Sequence, residues 1–238
     1  MSAGAEVAVD AGAIAARWRA VRAAVDAACV AAGRAPAEVT IVAVSKRHPA
    51  AAVDAVAAAG ATDVGENYAQ ELVAKRAAVG AAVRWHFIGR LQRNKARLVA
   101  GQVALVHAVD AVDLAEELGR RARAAGAIQP ILAAVNVGGE AQKSGVAAAA
   151  APALIAALRA VDGVRLDGLM TMPPPADDPE VVRPAFRALR RLRDELATAA
   201  SPLPHLSMGM SGDFAVAIAE GATLVRIGTA IFGERPPG

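Results

Sequence analysis

Lys46 closes the run Val39-Thr40-Ile41-Val42-Ala43-Val44-Ser45. Apolar and β-branched residues favour a buried strand there, and the two-residue period puts Thr40, Val42, Val44 and Lys46 on one face. A lysine at the tip of an apolar face loses part of its hydration, which favours the neutral amine that attacks carbonyl carbons. The other reading of this position is a lysine whose stem covers the core while its ammonium reaches water.

Near the other end of the chain stand Ser207-Met208-Gly209-Met210-Ser211-Gly212-Asp213 and Arg226-Ile227-Gly228-Thr229. Small residues, hydroxyls and a helix start offer backbone N–H groups to an anion, phosphate above all. A plain helix N-cap by Ser211 and a packing glycine would use the same residues. Arg226 itself sits inside the apolar run Leu224-Val225-Arg226-Ile227. A guanidinium keeps its proton, so when buried it needs an acceptor or an anion. A carboxylate such as Asp213 or Glu66 would serve that need as well as a ligand would. An amine, an anion site and an arginine together suit a ligand with an aldehyde, a phosphate and a ring nitrogen, which describes pyridoxal 5′-phosphate (PLP).

The elements that must position these groups alternate along the chain. An amphipathic helix over 10–32, with Ile14, Trp18, Val21, Val25 and Ala28 on one stripe, comes first. Strands are then expected at 39–44, 62–67, 84–89, 103–110, 128–137, 164–172, 205–210 and 223–232. Helices are expected at 49–59, up to 79, and at 91–100, 112–125, 146–160, 179–199 and 213–220, with none after the last strand. Regular βα alternation predicts parallel strands with helical crossovers. That many units suit an α/β fold of one closed (β/α)₈ TIM barrel with an extra N-terminal helix, rather than an open doubly wound sheet. The expectation is a single domain over 1–238, with flexible tails at 1–10 and 234–238. In such a barrel chemistry sits at the C-terminal strand ends. Here those ends carry Lys46, Asn67, His86, Ser207, Ser211, Arg226, Gly228 and Thr229.

Composition excludes several classes. A net charge of +3 is too mild to argue for nucleic acid. The arginines 183, 187, 190 and 191 line one helix face, which reads as a solvated face before a nucleic-acid stripe. The single cysteine, Cys29, excludes internal disulfides and fits a reducing compartment. No signal peptide is expected, since Glu6 and Asp10 interrupt the start. The charge-free run 144–158 contains Pro152 and falls short of the ~20 apolar residues of a membrane span. The expectation is a cytoplasmic protein. The histidines at 48, 86, 107 and 205 show no metal-ligand spacing. The run 138–144 imitates a P-loop but has Gln142 where the second glycine belongs, and Gly209-Met210-Ser211-Gly212 is not a nucleophile elbow.

The segments VAVSK (42–46), GENYAQE (65–71), WHFIGRLQRNK (85–95), KSG (143–145), GLMTMPP (168–174), LSMGMSGD (206–213) and LVRIGTAIFG (224–233) closely resemble the pyridoxal phosphate homeostasis proteins. The resemblance runs from about 10 to 233. It implies the fold type III barrel of alanine racemase and ornithine decarboxylase without their second domain. It also implies PLP held as an internal aldimine on Lys46, and a role in vitamin B6 and amino-acid homeostasis without established turnover. Carried over by position, Arg226 meets the pyridine nitrogen. Ser211, Gly228 and Thr229 hold the phosphate, Asn67 lies beside the ring, and His86 and Ser207 are wall residues. The implied partners are PLP itself and apo PLP-dependent enzymes that receive it, with the chain a monomer and no membrane contact.

A permanently charged arginine at the ring nitrogen disfavours its protonation and weakens the cofactor as an electron sink. Racemisation also needs an acid or base on each substrate face and a lid that excludes water. Tyr68 is the only tyrosine. A PLP carrier is therefore expected; the alternative is an enzyme, either a low-activity PLP racemase or a Schiff-base aldolase that uses Lys46 alone.

Overall fold

The computed structural model describes residues 9–138, 145–174 and 176–234. Parallel strands β1 (Thr40–Val44), β2 (Asp63–Glu66), β3 (Arg84–Phe87), β4 (Leu105–Val109) and β5 (Gln129–Asn136) follow one another around a barrel. A short β6 (Val146–Ala147) extends the end of β5, and β7 (Val164–Met170), β8 (His205–Ser207) and β9 (Leu224–Ile227) complete the ring. Pairing of β9 with β1, register Val42↔Arg226 and Ala43↔Ile227, closes it. The expected (β/α)₈ barrel is thus the fold observed.

Two apolar layers hold it together. The larger lies between strands and outer helices. The lumen holds a small cluster of Val42, Leu105, Leu132, Ala134, Met170 and Leu224, with Ile88 against it. The helices are α1 (Ala11–Ala31), α2 (Ala50–Ala58), α3 (Ala69–Ala78), α4 (Val112–Ala124), α5 (Ala151–Arg159), α6 (Arg183–Leu196), α7 (Phe214–Ala219) and α8 (Thr229–Phe232). Asp10 caps α1 by accepting the Ala13 N–H at 2.9 Å. The α1 stripe Ile14, Trp18, Val21, Val25 and Cys29 is buried against α2, α7 and α8.

Some expected boundaries shift, each for a local reason. The helix expected from 146 begins at Ala151, because Pro152 occupies the first turn and Val146–Ala147 pairs with β5. The helix expected at 91–100 is a 3₁₀ segment, Arg93–Leu98. Pro179–Val182 is 3₁₀ too, and Pro184 starts the α6 helix proper. The last strand, expected to reach 232, stops at Ile227. Gly228 turns the chain and its carbonyl accepts from the Ile231 and Phe232 N–H groups at 2.8 and 2.9 Å, so α8 follows where no helix was expected. The segments KSG and the P-loop-like run fall largely outside the described residues.

Candidate functional site

Lys46 leaves β1 on a tight turn. The His48 N–H donates to the Ser45 carbonyl at 2.9 Å, and Arg47 takes a left-handed backbone with φ of 65°. A non-glycine residue holds that conformation only where its surroundings insist on it. Here they do. Glu71 Oε1 accepts the Arg47 N–H at 2.6 Å, and buried Lys75 Nζ donates to the Ser45 carbonyl at 2.6 Å. Lys75 also bonds Glu71 at 2.7 Å and Glu66 Oε1 at 2.5 Å, and Ser45 Oγ donates to that same Oε1 at 2.5 Å. Burial pushes the Glu66 carboxyl up, against the pull of Lys75. The GENYAQE carboxylates thus clamp the backbone on both sides of Lys46.

Arg226 is buried in the lumen and, among the described residues, hydrogen-bonds no carboxylate. Its Nη1 donates to Ser207 Oγ at 2.6 Å and its Nη2 to the Thr171 carbonyl at 3.0 Å. Asp213 instead accepts the Met210 N–H, and Glu66 is taken by Lys75 and Ser45, so neither forms the pair the sequence allowed. Burial lowers the guanidinium to about 10, with Asp213 opposing from a distance.

Lys46 and Arg226 line one cavity of about 470 Å³ together with Asn67, Ser211, Gly228 and Thr229. Val44, Ile88, Ala108, Met170 and Met172 give it apolar walls, and Gly89, Gly212 and Met210 add backbone. Gly89 is required here, because a Cβ would fall 2.3 Å from the Asn67 carbonyl oxygen. Ser211 is not a helix cap: α7 starts after Asp213, whose Oδ1 turns back to Met210. The Asn67 Oδ1 is buried without a hydrogen-bond partner. A neighbouring cavity of about 550 Å³ shares Asn67 and Arg90 and adds Arg93, Lys95, Asp110 and the exposed Tyr68.

His86 and Ser207 lie elsewhere than expected. Neither is among the residues around this cavity; both are buried beneath it, in the lumen. His86 Nε2 contacts Asp63 Oδ1 at 2.8 Å, and its Nδ1 contacts His107 Nε2 at 2.9 Å. His107 Nδ1 contacts Ser207 Oγ at 2.8 Å. His107 and Asp63 escaped sequence reasoning, although strand parity puts each on an inward face. Among the described residues, no group of three or more His, Cys, Asp or Glu could hold a metal ion, and no helix is long and apolar enough to cross a membrane.

The chain is a closed parallel barrel with a lysine just past its first strand and an arginine on its last, and it belongs to the alanine racemase N-terminal domain family, whose model matches residues 9–236. Within that family its similarity is to the pyridoxal phosphate homeostasis proteins. That of Aquifex aeolicus is 46% identical over 210 residues, covering 87% of this chain and 92% of the relative. That of Escherichia coli K12 is 40% identical over 222 residues, covering 90% and 94%. Among solved structures, PipY of Synechococcus elongatus PCC7942, with PLP bound, superposes with a TM-score of 0.81 at 35% identity, over 92% of this chain and all of that one (100%). Alanine racemase of Corynebacterium glutamicum, at 20% identity and a TM-score of 0.71, shares the fold over 96% of this chain and 62% of its own.

Proposed function

We propose that the chain binds PLP in the Lys46 cavity, with Lys46 as the covalent attachment point, and acts as a carrier in vitamin B6 and amino-acid homeostasis. The observation that carries this reading is the meeting of Lys46, Arg226 and the small-residue loops 211–212 and 228–229 around one cavity. The residues fit the group. The buried, unpartnered Asn67 Oδ1 awaits a donor. A Cβ on Gly212 would meet nothing within 4 Å, which leaves its loop backbone open. Arg226 keeps N–H donors beyond its two protein bonds for a ring nitrogen. Ser211 and Thr229 hydroxyls and the Gly228 backbone would hold the phosphate.

When bound, PLP supplies a reactive aldehyde and an electron-poor ring. What the chain supplies is retention more than turnover. Among the described residues of the cavity wall the ionisable side chains are Lys46, Arg90 and Arg226. None is a carboxylate, imidazole or phenol that would face a substrate as a second acid or base. Tyr68 is half exposed and borders the neighbouring cavity instead. Release to apo-enzymes that use PLP suits such a site. The names of the relatives, homeostasis proteins rather than enzymes, favour the same reading.

The test is chemical. Protein incubated with PLP is reduced with borohydride and mapped by peptide mass; the adduct is expected on Lys46, and Lys46→Ala should lose both the adduct and the visible absorbance. An adduct confined to other lysines would refute the site. Sustained racemisation of amino acids by the loaded protein would refute the carrier role.

A further inference from the structure

Arg226 faces the cavity from one side; from the other, a file of polar side chains from β9, β8, β4, β3 and β2 runs down the lumen to Asp63. Its hydrogen positions follow from elementary rules. The Asp63 carboxylate can only accept, and its Oδ2 already takes Arg84 Nη2 and Thr62 Oγ1, each at 2.7 Å. His86 Nε2 therefore carries a hydrogen and donates to Oδ1. In a neutral ring the other nitrogen accepts, so His107 Nε2 is the donor across their 2.9 Å contact. His107 Nδ1 then accepts the Ser207 hydroxyl hydrogen, and Ser207 Oγ accepts from Arg226 Nη1. Every bond points one way, from guanidinium to carboxylate. The reverse order would need a charged His86, and would leave the Ser207 oxygen accepting from both neighbours with its own hydrogen turned away. Both rings are buried (His86 4% and His107 0% exposed), where an imidazolium is costly.

We propose that Asp63, His86, His107 and Ser207 are positioning residues, a one-way relay through the barrel that fixes the orientation in which Arg226 presents its remaining donors to the Lys46 cavity. The described residues that line the cavity include no carboxylate. The inference rests on the PLP reading only for what Arg226 meets there.

The test keeps the two apart. In ligand-free protein, ¹⁵N spectra of the histidine rings should show the hydrogen of both His86 and His107 on Nε2, with Nδ1 bare. An Nδ1–H tautomer or an imidazolium at either ring overturns the relay. The Nη hydrogens of Arg226 should resolve separately in the wild-type protein and average by rotation in Ser207→Ala and His107→Phe. Unchanged signals in Ser207→Ala refute the positioning role, and that variant decides if His107→Phe does not fold. With PLP, Ser207→Ala should bind about tenfold more weakly, the scale of one lost bond to a charged group, while borohydride still marks Lys46. Ser207→Thr, which keeps the hydroxyl, should recover most of that affinity; equal affinity in Ser207→Ala would overturn the proposal. Failure of the wild-type protein to bind PLP would remove the reading of the cavity, and the ligand-free spectra would still decide the relay.

Discussion

Asp63 shows how one side chain sets a pH dependence for the whole barrel. Burial alone would raise its carboxyl, yet hydrogen bonds from His86, Arg84 and Thr62 win and hold it at about 2. A carboxylate whose pKa falls on folding adds stability that is present above its unfolded value, near 3.9, and lost as pH drops toward the folded value. The contribution is about 2 kcal/mol at neutral pH, fading between roughly pH 4 and 2. Asp63→Asn should therefore lower the free energy of unfolding by about that amount at pH 7 and flatten the acid limb in that window. Denaturant titrations at several pH values measure it; a parallel shift at every pH would show that Asp63 is not the titrating group. Sequence alone could not supply this. Asp63, His86 and His107 are ordinary polar residues on separate strands, and only the pairing of β2 with β3 and of β3 with β4 makes them neighbours. Lys46 and Arg226 were legible because each interrupts an apolar run, which strands tolerate only for a reason.

At the scale of elements, the GENYAQE block gains a physical meaning that motif matching does not give. Asn67 reaches the cavity, while Glu66 and Glu71 face Lys75 and hold the turn that presents Lys46. Glu66 is fully buried (0% exposed) with its Oε2 unpartnered. The two partners of such a pair should respond unequally. Lys75→Met strands a buried carboxylate and should cost about 3–5 kcal/mol, whereas Glu66→Gln leaves Lys75 with Glu71 and removes a charge that burial opposes, costing about 1 kcal/mol. Equal losses in chemical denaturation would mean that the clamp is not electrostatic. Where the turn loosens, attachment of PLP at Lys46 should slow as well. The arginine face of α6 resolves in the same terms. Arg183 and Arg187 bond the buried Glu220 at 3.0 and 2.8 Å, and Arg190 lies 3.7 Å from it, so much of that face staples α6 to the end of α7. The pattern of arginines was visible in the sequence; their carboxylate, on another element, was not.

At the scale of the molecule, the site exists because the two ends of the chain meet. Lys46 follows β1 and Arg226 stands on β9, and the β1–β9 pairing that closes the barrel sets them side by side. Over that seam lies α1, packed on α2, α7 and α8. Trp18 is buried there, and Arg17 Nε donates to the Ile231 carbonyl at 2.8 Å with Nη2 reaching the Phe232 carbonyl at 3.3 Å. The His48 ring stacks on Phe232 with centroids 5.2 Å apart, which joins the Lys46 turn to α8 directly. The extra N-terminal helix is thus a seam cover whose loss should be felt first at the site. Trp18→Ala should cost about 3–5 kcal/mol through the cavity it leaves. Arg17→Met is the sharper probe, because it keeps the apolar stem and removes only the donors to α8. In that variant hydrogen exchange should accelerate first in 228–233 and 45–48, ahead of β3–β5 on the opposite wall, and PLP should dissociate faster. Exchange that quickened uniformly around the barrel would mean that α1 stabilises the fold without specially holding the cavity. The uneven pattern is expected because the barrel lumen is continuous, while the tie between α1 and α8 touches only one side of it.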